Sequence, residues 1–215
     1  MRVSVLCSDP DHPIQTDLAC WAKEWQGIHE IEIFCSKRHL TGGNLLFLVS
    51  CSEMIDSKVR EMFDRTVVLH ASDLPEGRGW SPHIWAIIEG KTEITITLLE
   101  AADRVDTGDI WNKAVIEIPR NAVGAEINAL LFNAELDLMS WAIDNLERVQ
   151  PQPQTKLIET TWPKRTPKDS ELDPHLSIAQ QFDLIRTSDP VRYPAFFKFR
   201  GREYDLQIIP RGDSA

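Results

Sequence analysis

The apolar residues of this chain change period several times, and each change predicts a new element. Residues 2–7 alternate and then run apolar, as a strand does. Residues 17–27 carry helical spacing, capped around Thr16 and closed by Gly27. Residues 29–35 alternate cleanly as a second strand, whereas residues 44–50 run apolar from Leu45 to Val49 without interruption. An unbroken run of that length marks a strand covered on both faces, as in a parallel sheet. A helix over 54–63, a short buried strand at 67–69 and a helix over 82–89 that stops at Gly90 come next. Two further strands are predicted at 92–99, rich in β-branched residues, and at 111–118.

The longest helical pattern covers 125–149, with Ile127, Leu131, Leu138, Met139 and Ala142 on a wide apolar stripe suited to lie across a sheet. Beyond it, residues 150–154 read as a Gln/Pro linker, and 163–174 is Pro-rich and charged without either period. A short helix at 178–185 and strands at 195–199 and 203–209 complete the chain. The order predicts an α/β fold: a mostly parallel sheet flanked by helices, with a mixed edge and a small C-terminal appendage. Residues 1–149 form the main domain, and 150–215 an extension packed on it.

Composition narrows the function classes. With 42% hydrophobic and 26% charged residues, and no apolar run near the roughly 18 residues of a membrane span, the chain reads as soluble and free of membrane. Its N-terminus lacks a signal-peptide pattern, and Cys7, Cys20, Cys35 and Cys51 are spaced as single buried thiols, so a cytoplasmic setting is expected. A net charge of -10 argues against a nucleic-acid partner. Arg165, Lys168 and Arg186 remain candidates for holding a small anion. His12, His29, His39 and His175 share no ligand spacing, so no metal is expected. The turn after the first strand, Cys7 to Pro13, has no glycine and two carboxylates, which excludes a dinucleotide-type phosphate cradle.

Candidate chemistry gathers between residues 66 and 110. A buried strand empties into a loop at His70, and Asp106 stands on a turn ending in Gly108, so an imidazole and a carboxylate can meet for proton transfer. The segments His70-Ala-Ser-Asp-Leu-Pro-Glu-Gly-Arg-Gly-Trp-Ser-Pro82 and Val105-Asp-Thr-Gly-Asp-Ile110 resemble the folate-dependent formyltransferases. That resemblance implies a Rossmann-like formyltransferase fold and transfer of a formyl group from 10-formyltetrahydrofolate to an amine. It implies His70 and Asp106 as the catalytic pair, with cofactor contacts from Ser52, Glu53, Met54, Ile55, Val105 and Asp106. Ser72, Trp80 and His83 would contact the acceptor. The tail around Arg165 to Asp173 and Ile185 to Phe197 is similar to sugar N-formyltransferases, pointing to a small amino sugar acceptor, nucleotide-linked or free. Where the family carries an asparagine two residues before the histidine, this chain has Val68, and Thr66, Asn44 and Asn112 are the candidate substitutes as hydrogen-bond donors. A folate-binding homologue without turnover and a formyltetrahydrofolate hydrolase are the alternatives. Trp162, Phe196 and Phe197 suit either an oligomer interface or packing of the tail.

Overall fold

The computed structural model describes residues 1–155 and 158–212. The chain runs β1 (Arg2–Leu6), α1 (Gln15–Glu24), β2 (Glu30–Phe34), β3 (Gly43–Leu48), α2 (Ser57–Arg60) and β4 (Phe63–His70). It continues with β5 (Arg78–Gly79), α3 (Pro82–Ile88), β6 (Glu93–Glu100), β7 (Ile110–Glu117) and α4 (Gly124–Asn145). A six-stranded sheet has the order β2-β1-β3-β4-β6-β7. Its first four strands are parallel, and β6 and β7 are antiparallel, forming the mixed edge.

The apolar run in β3 follows from its central place. Leu45 and Phe47 join Val3, Val5, Val67 and Leu69 beneath α1 and α4, where Trp21, Leu131 and Met139 close the main core. Leu46 and Leu48 point the other way, into a second cluster with Leu6, Leu40, Ile55 and Phe63. Both faces are therefore covered, and no position in the strand can be polar without a partner.

Several boundaries differ from the sequence expectation, each for a local reason. The helix expected over 54–63 is the single turn α2, because Asp56 accepts a hydrogen bond from Val59 N at 3.1 Å and starts the helix late. Phe63 already belongs to β4, whose exposed Asp64 and Arg65 hide the strand from a hydrophobicity reading. Helix α1 begins at Gln15 with Ile14 at its N-cap rather than Thr16. The cysteines also depart from expectation: Cys7 is buried and Cys51 half-buried, but Cys20 and Cys35 are exposed, and all four are free thiols. Cys20 lies on the outward side of α1, and Cys35 just follows the edge strand β2.

The segment expected as a linker is pinned to the sheet. Gln152 and Ile110 exchange backbone hydrogen bonds of 2.7 and 2.9 Å, and β8 (Thr161–Trp162) then pairs in parallel with β5. The Pro-rich stretch, expected to be irregular, holds a 3-10 turn at Pro167–Ser170 and a two-residue strand, β9 (Glu171–Leu172). Such short pieces show no period in sequence. Strand β9 joins β10 (Ala195–Phe199) and β11 (Arg202–Leu206) in a small sheet of order β11-β10-β9. The helix expected at 178–185 is a 3-10 turn followed by α5 (Phe182–Arg186). Arg186, a candidate anion ligand by sequence, is committed to structure instead. It is 2% exposed, donates from Nε to Asp183 Oδ1 at 2.6 Å, and donates from Nη1 to the carbonyls of Pro119 and Ala122 at 3.1 and 3.0 Å. Among the described residues, no helix is long and apolar enough to cross a membrane.

Arg186 thus ties α5 to the corner between β7 and α4. Arg186→Ala leaves two carbonyls without their donor, and urea unfolding is expected to show a loss of about 2 kcal/mol. Arg186→Lys, which restores charge but not the planar fork, should recover only part of it.

Candidate active site

Loops at the C-terminal ends of β1, β3 and β4 open onto one cleft of about 1010 Å³, the position where open α/β sheets bind ligands. Helix α4 and residues 187–190, 192 and 193 of the C-terminal extension also wall it. His70, the last residue of β4, is 7% exposed and reaches into it. Its Nε2 lies 2.9 Å from the Gly77 carbonyl, which can only accept, so Nε2 carries a proton. Nδ1 faces Asp106 Oδ1 at 3.5 Å, and that gap is where a mobile proton can sit.

Asp106 is held in an unusual shape. Its φ of 57° puts a non-glycine residue in the left-handed region, a strain on the order of 1–2 kcal/mol. The surrounding bonds fix it there. Oδ2 accepts from Gly79 N at 2.9 Å, and the backbone carbonyl accepts from both Arg78 Nε and Gln154 Nε2 at 3.0 Å. Gln154 also donates to the Gly108 carbonyl at 2.9 Å and accepts from Arg78 Nη2 at 2.7 Å. Glu159 pairs with Arg78 and, at 2.9 Å, with Arg104. Gly108 is required as glycine because a Cβ there would run into the Glu100 carbonyl.

Part of the cleft is a slot with apolar rims. Ser52, Glu53, Met54 and Ile55 line one wall, and Val105 lines the cleft beside Asp106. Met54 and Val105 are 64% and 55% exposed, leaving apolar side chains available to a flat ring. The loop is braced from below: Ser52 N donates to Ser8 Oγ at 2.8 Å, and the Glu53 carboxylate accepts from Lys37 N. Val68 lines the cleft as well and packs on the cluster containing Leu48 and Ile55.

Trp80 and His83 also line the cleft, with Lys164 Nζ 4.5 Å from the Trp80 ring centre. Burial, reinforced by His70, His12 and Arg165, pushes the His83 imidazole down to about 4 and keeps it neutral. Burial also pushes the Glu135 carboxyl, on α4, up to about 8. Asp9 and Arg192 pair at 2.9 Å, joining the turn after β1 to the C-terminal extension.

Ser72, expected to contact the acceptor, does not line the cleft. Its amide turns back to the His70 carbonyl at 2.9 Å, and the residue borders a separate small cavity behind Gly77. None of the substitutes for the absent asparagine reaches the cleft. Asn44 is held at the opposite end of β3 by Arg2 N and Asp64, Asn112 caps the amide of Lys113, and Thr66 is buried within β4. Arg165 lines the cleft but donates to the Asp169 carbonyl and Ser170 Oγ, and Lys168 is exposed outside it. The residues that sequence reading missed are Arg78, Gln154, Glu159 and Glu135. Only Glu135 left a signal, as a carboxylate inside an apolar helical stripe.

The family model for formyl transferase matches residues 4–143. The chain belongs to the formyl transferase family. It is 30% identical over 171 residues to methionyl-tRNA formyltransferase of Protochlamydia amoebophila, covering 77% of this chain and 53% of that protein. It therefore spans about half the length of the curated relatives it matches. Among solved structures, HypX from Aquifex aeolicus in complex with tetrahydrofolic acid shares the fold with a TM-score of 0.79 at 21% identity, over 97% of this chain and 37% of that one. A 4-N formyltransferase from Francisella tularensis shares it with a TM-score of 0.75 at 16% identity, over 96% of both chains.

Glu135 gives the site a pH signature. Its carboxyl rises from an ordinary 4.5 to about 8 in the fold, so the native chain binds a proton that the unfolded chain releases between these values. Stability therefore falls as pH rises through that window, at up to about 1.4 kcal/mol per pH unit. Thermal melts of Glu135→Gln, fixed neutral, are expected to lack this part of the decline while matching wild type at the acid end.

Proposed function

We propose that the protein transfers a formyl group from 10-formyltetrahydrofolate to the amine of a small acceptor, an amino sugar, in the cytoplasm. The observation that carries this reading is the buried His70 and Asp106 pair in a cleft that offers both exposed apolar side chains and polar groups. Support for folate comes from the slot itself, whose exposed Met54 and Val105 suit a flat ring, and from the neighbour bound to tetrahydrofolic acid. Neighbours named as sugar N-formyltransferases support a sugar amine. The relatives named for methionyl-tRNA favour a larger acceptor, but a net charge of -10 opposes a polyanionic partner.

When bound, 10-formyltetrahydrofolate supplies the formyl group at N10, and Ser52, Glu53, Met54, Ile55 and Val105 would hold it. The net exchange moves the formyl group to the acceptor nitrogen and one proton from that nitrogen to N10. His70 and Asp106 carry that proton. The Gly77 carbonyl holds Nε2 in its protonated form, leaving Nδ1 and the Asp106 carboxylate to take and return the mobile proton. Gly79 N and the clamp on the Asp106 carbonyl keep the carboxylate aimed at the ring. Val68 offers no donor to a developing oxyanion, which places the burden of catalysis on the proton pair.

That same valine favours a second reading, a protein that binds folate without turnover. Calorimetric titration with a stable 10-formyltetrahydrofolate analogue, followed by amine-formylation and formate-release assays, separates the two. The expected outcome is binding with amine-dependent transfer. His70→Ala and Asp106→Asn should each lower kcat/KM by roughly 10²–10⁴-fold while analogue affinity stays within about twofold. Unchanged turnover in both variants would rule the mechanism out. Binding without transfer in the wild type, with transfer gained by Val68→Asn, would establish the second reading.

A further inference from the structure

The acceptor half of the cleft contains a built feature that the proton pair does not use. Asn128, Phe132 and Glu135 follow one another along α4 at spacings of four and three residues, so they share the helix face that lines the cleft. Phe132 is 6% exposed, and its ring meets His12 with centres 5.9 Å apart at 53°. Glu135 is 6% exposed, and its Oε2 has no hydrogen-bond partner. A carboxyl group set among Leu131, Leu138 and Met139, bordering a cleft with one oxygen free, is unsatisfied by the protein itself.

The chemistry of the stripe selects a class of ligand. An aromatic edge flanked by a carboxyl and a carboxamide matches a pyranose ring: its C–H groups pack on the part of Phe132 that lines the cleft, and its hydroxyls both give and accept hydrogen bonds. A neutral Glu135 also donates, which pairs it with a hydroxyl in both directions. Carboxylates disfavour a phosphate here: Asp9, Asp17 and Asp189 line the cleft, Arg192 is already paired with Asp9, and Lys164 stands over Trp80 instead of on the stripe. Arg165 lies at the other wall, bound to Asp169 and Ser170. We propose that the Asn128, Phe132 and Glu135 stripe is the subsite for the hydroxylated, unphosphorylated ring of the acceptor. This deepens the proposed formyl transfer and rests on its assignment of an amino sugar.

The test uses the full chain with D-glucosamine and D-glucosamine 6-phosphate as probes, followed by ligand-detected NMR titration. The folate analogue is titrated calorimetrically into the same samples. The expected result is glucosamine binding to wild type, at least about tenfold weaker binding of the phosphate ester, and at least about tenfold weaker glucosamine binding in Glu135→Ala. Glu135→Gln, which keeps the shape of the neutral acid, should fall between the two, and all variants should hold the analogue within about twofold. The subsite is overturned if wild type and Glu135→Ala bind glucosamine equally, if neither binds it, or if the phosphate ester binds more tightly. Analogue binding without a glucosamine response removes the subsite and leaves formyl transfer standing. A Glu135-dependent glucosamine response without analogue binding removes formyl transfer and leaves the subsite.

Discussion

Asp106 sits in a backbone conformation that costs free energy, and everything that could make its carboxylate useful depends on that conformation being held. Two donors converge on its carbonyl, Arg78 from the loop after β4 and Gln154 from the segment after α4, while Gly79 N takes one carboxylate oxygen. The other oxygen is thereby directed at His70. The clamp is polar, buried and shared between distant segments, so its parts depend on each other. Removing one donor frees the loop and also strands the Arg78 charge beside its remaining partners.

The cleft uses burial to keep groups neutral. His83 is pushed down and Glu135 up, and both lose charge in the range where a formyl transfer would run. The same cleft is lined by exposed apolar side chains at Met54 and Val105 and by polar groups at Asn128 and Glu135, with the histidine and aspartate among them.

Much of this was legible in the sequence, for reasons that differ by element. Strand β3 could be read because a doubly covered strand must be apolar throughout, and α4 because a long helix across a sheet must keep one stripe apolar. His70 and Asp106 stood out through the resemblance of their segments to the folate-dependent formyltransferases, since loop spacing alone does not single them out. The start of β4 did not, since Asp64 and Arg65 are exposed and interrupt the pattern. Ser72 was misplaced because a tight turn after His70 carries it behind the loop. Gln154 and Glu159 left no trace at all. Their role comes from a fold-back that brings residues some 50 and 80 positions apart together, and a Gln/Pro segment has no period to reveal it.

That fold-back has a consequence for how the molecule is divided. The matched family region ends at residue 143, yet Gln154, Glu159 and the β8 strand that grips the Arg78 loop all come afterwards. The matched region therefore carries His70 and Asp106 without the side chains that hold Asp106 in place. A chimera joining residues 1–145 to the tail of a relative would inherit the histidine and aspartate but not their brace. In this protein the tail both walls the cleft and braces the Asp106 loop, so exchanging it would change the geometry around His70 and Asp106 as well as the rim.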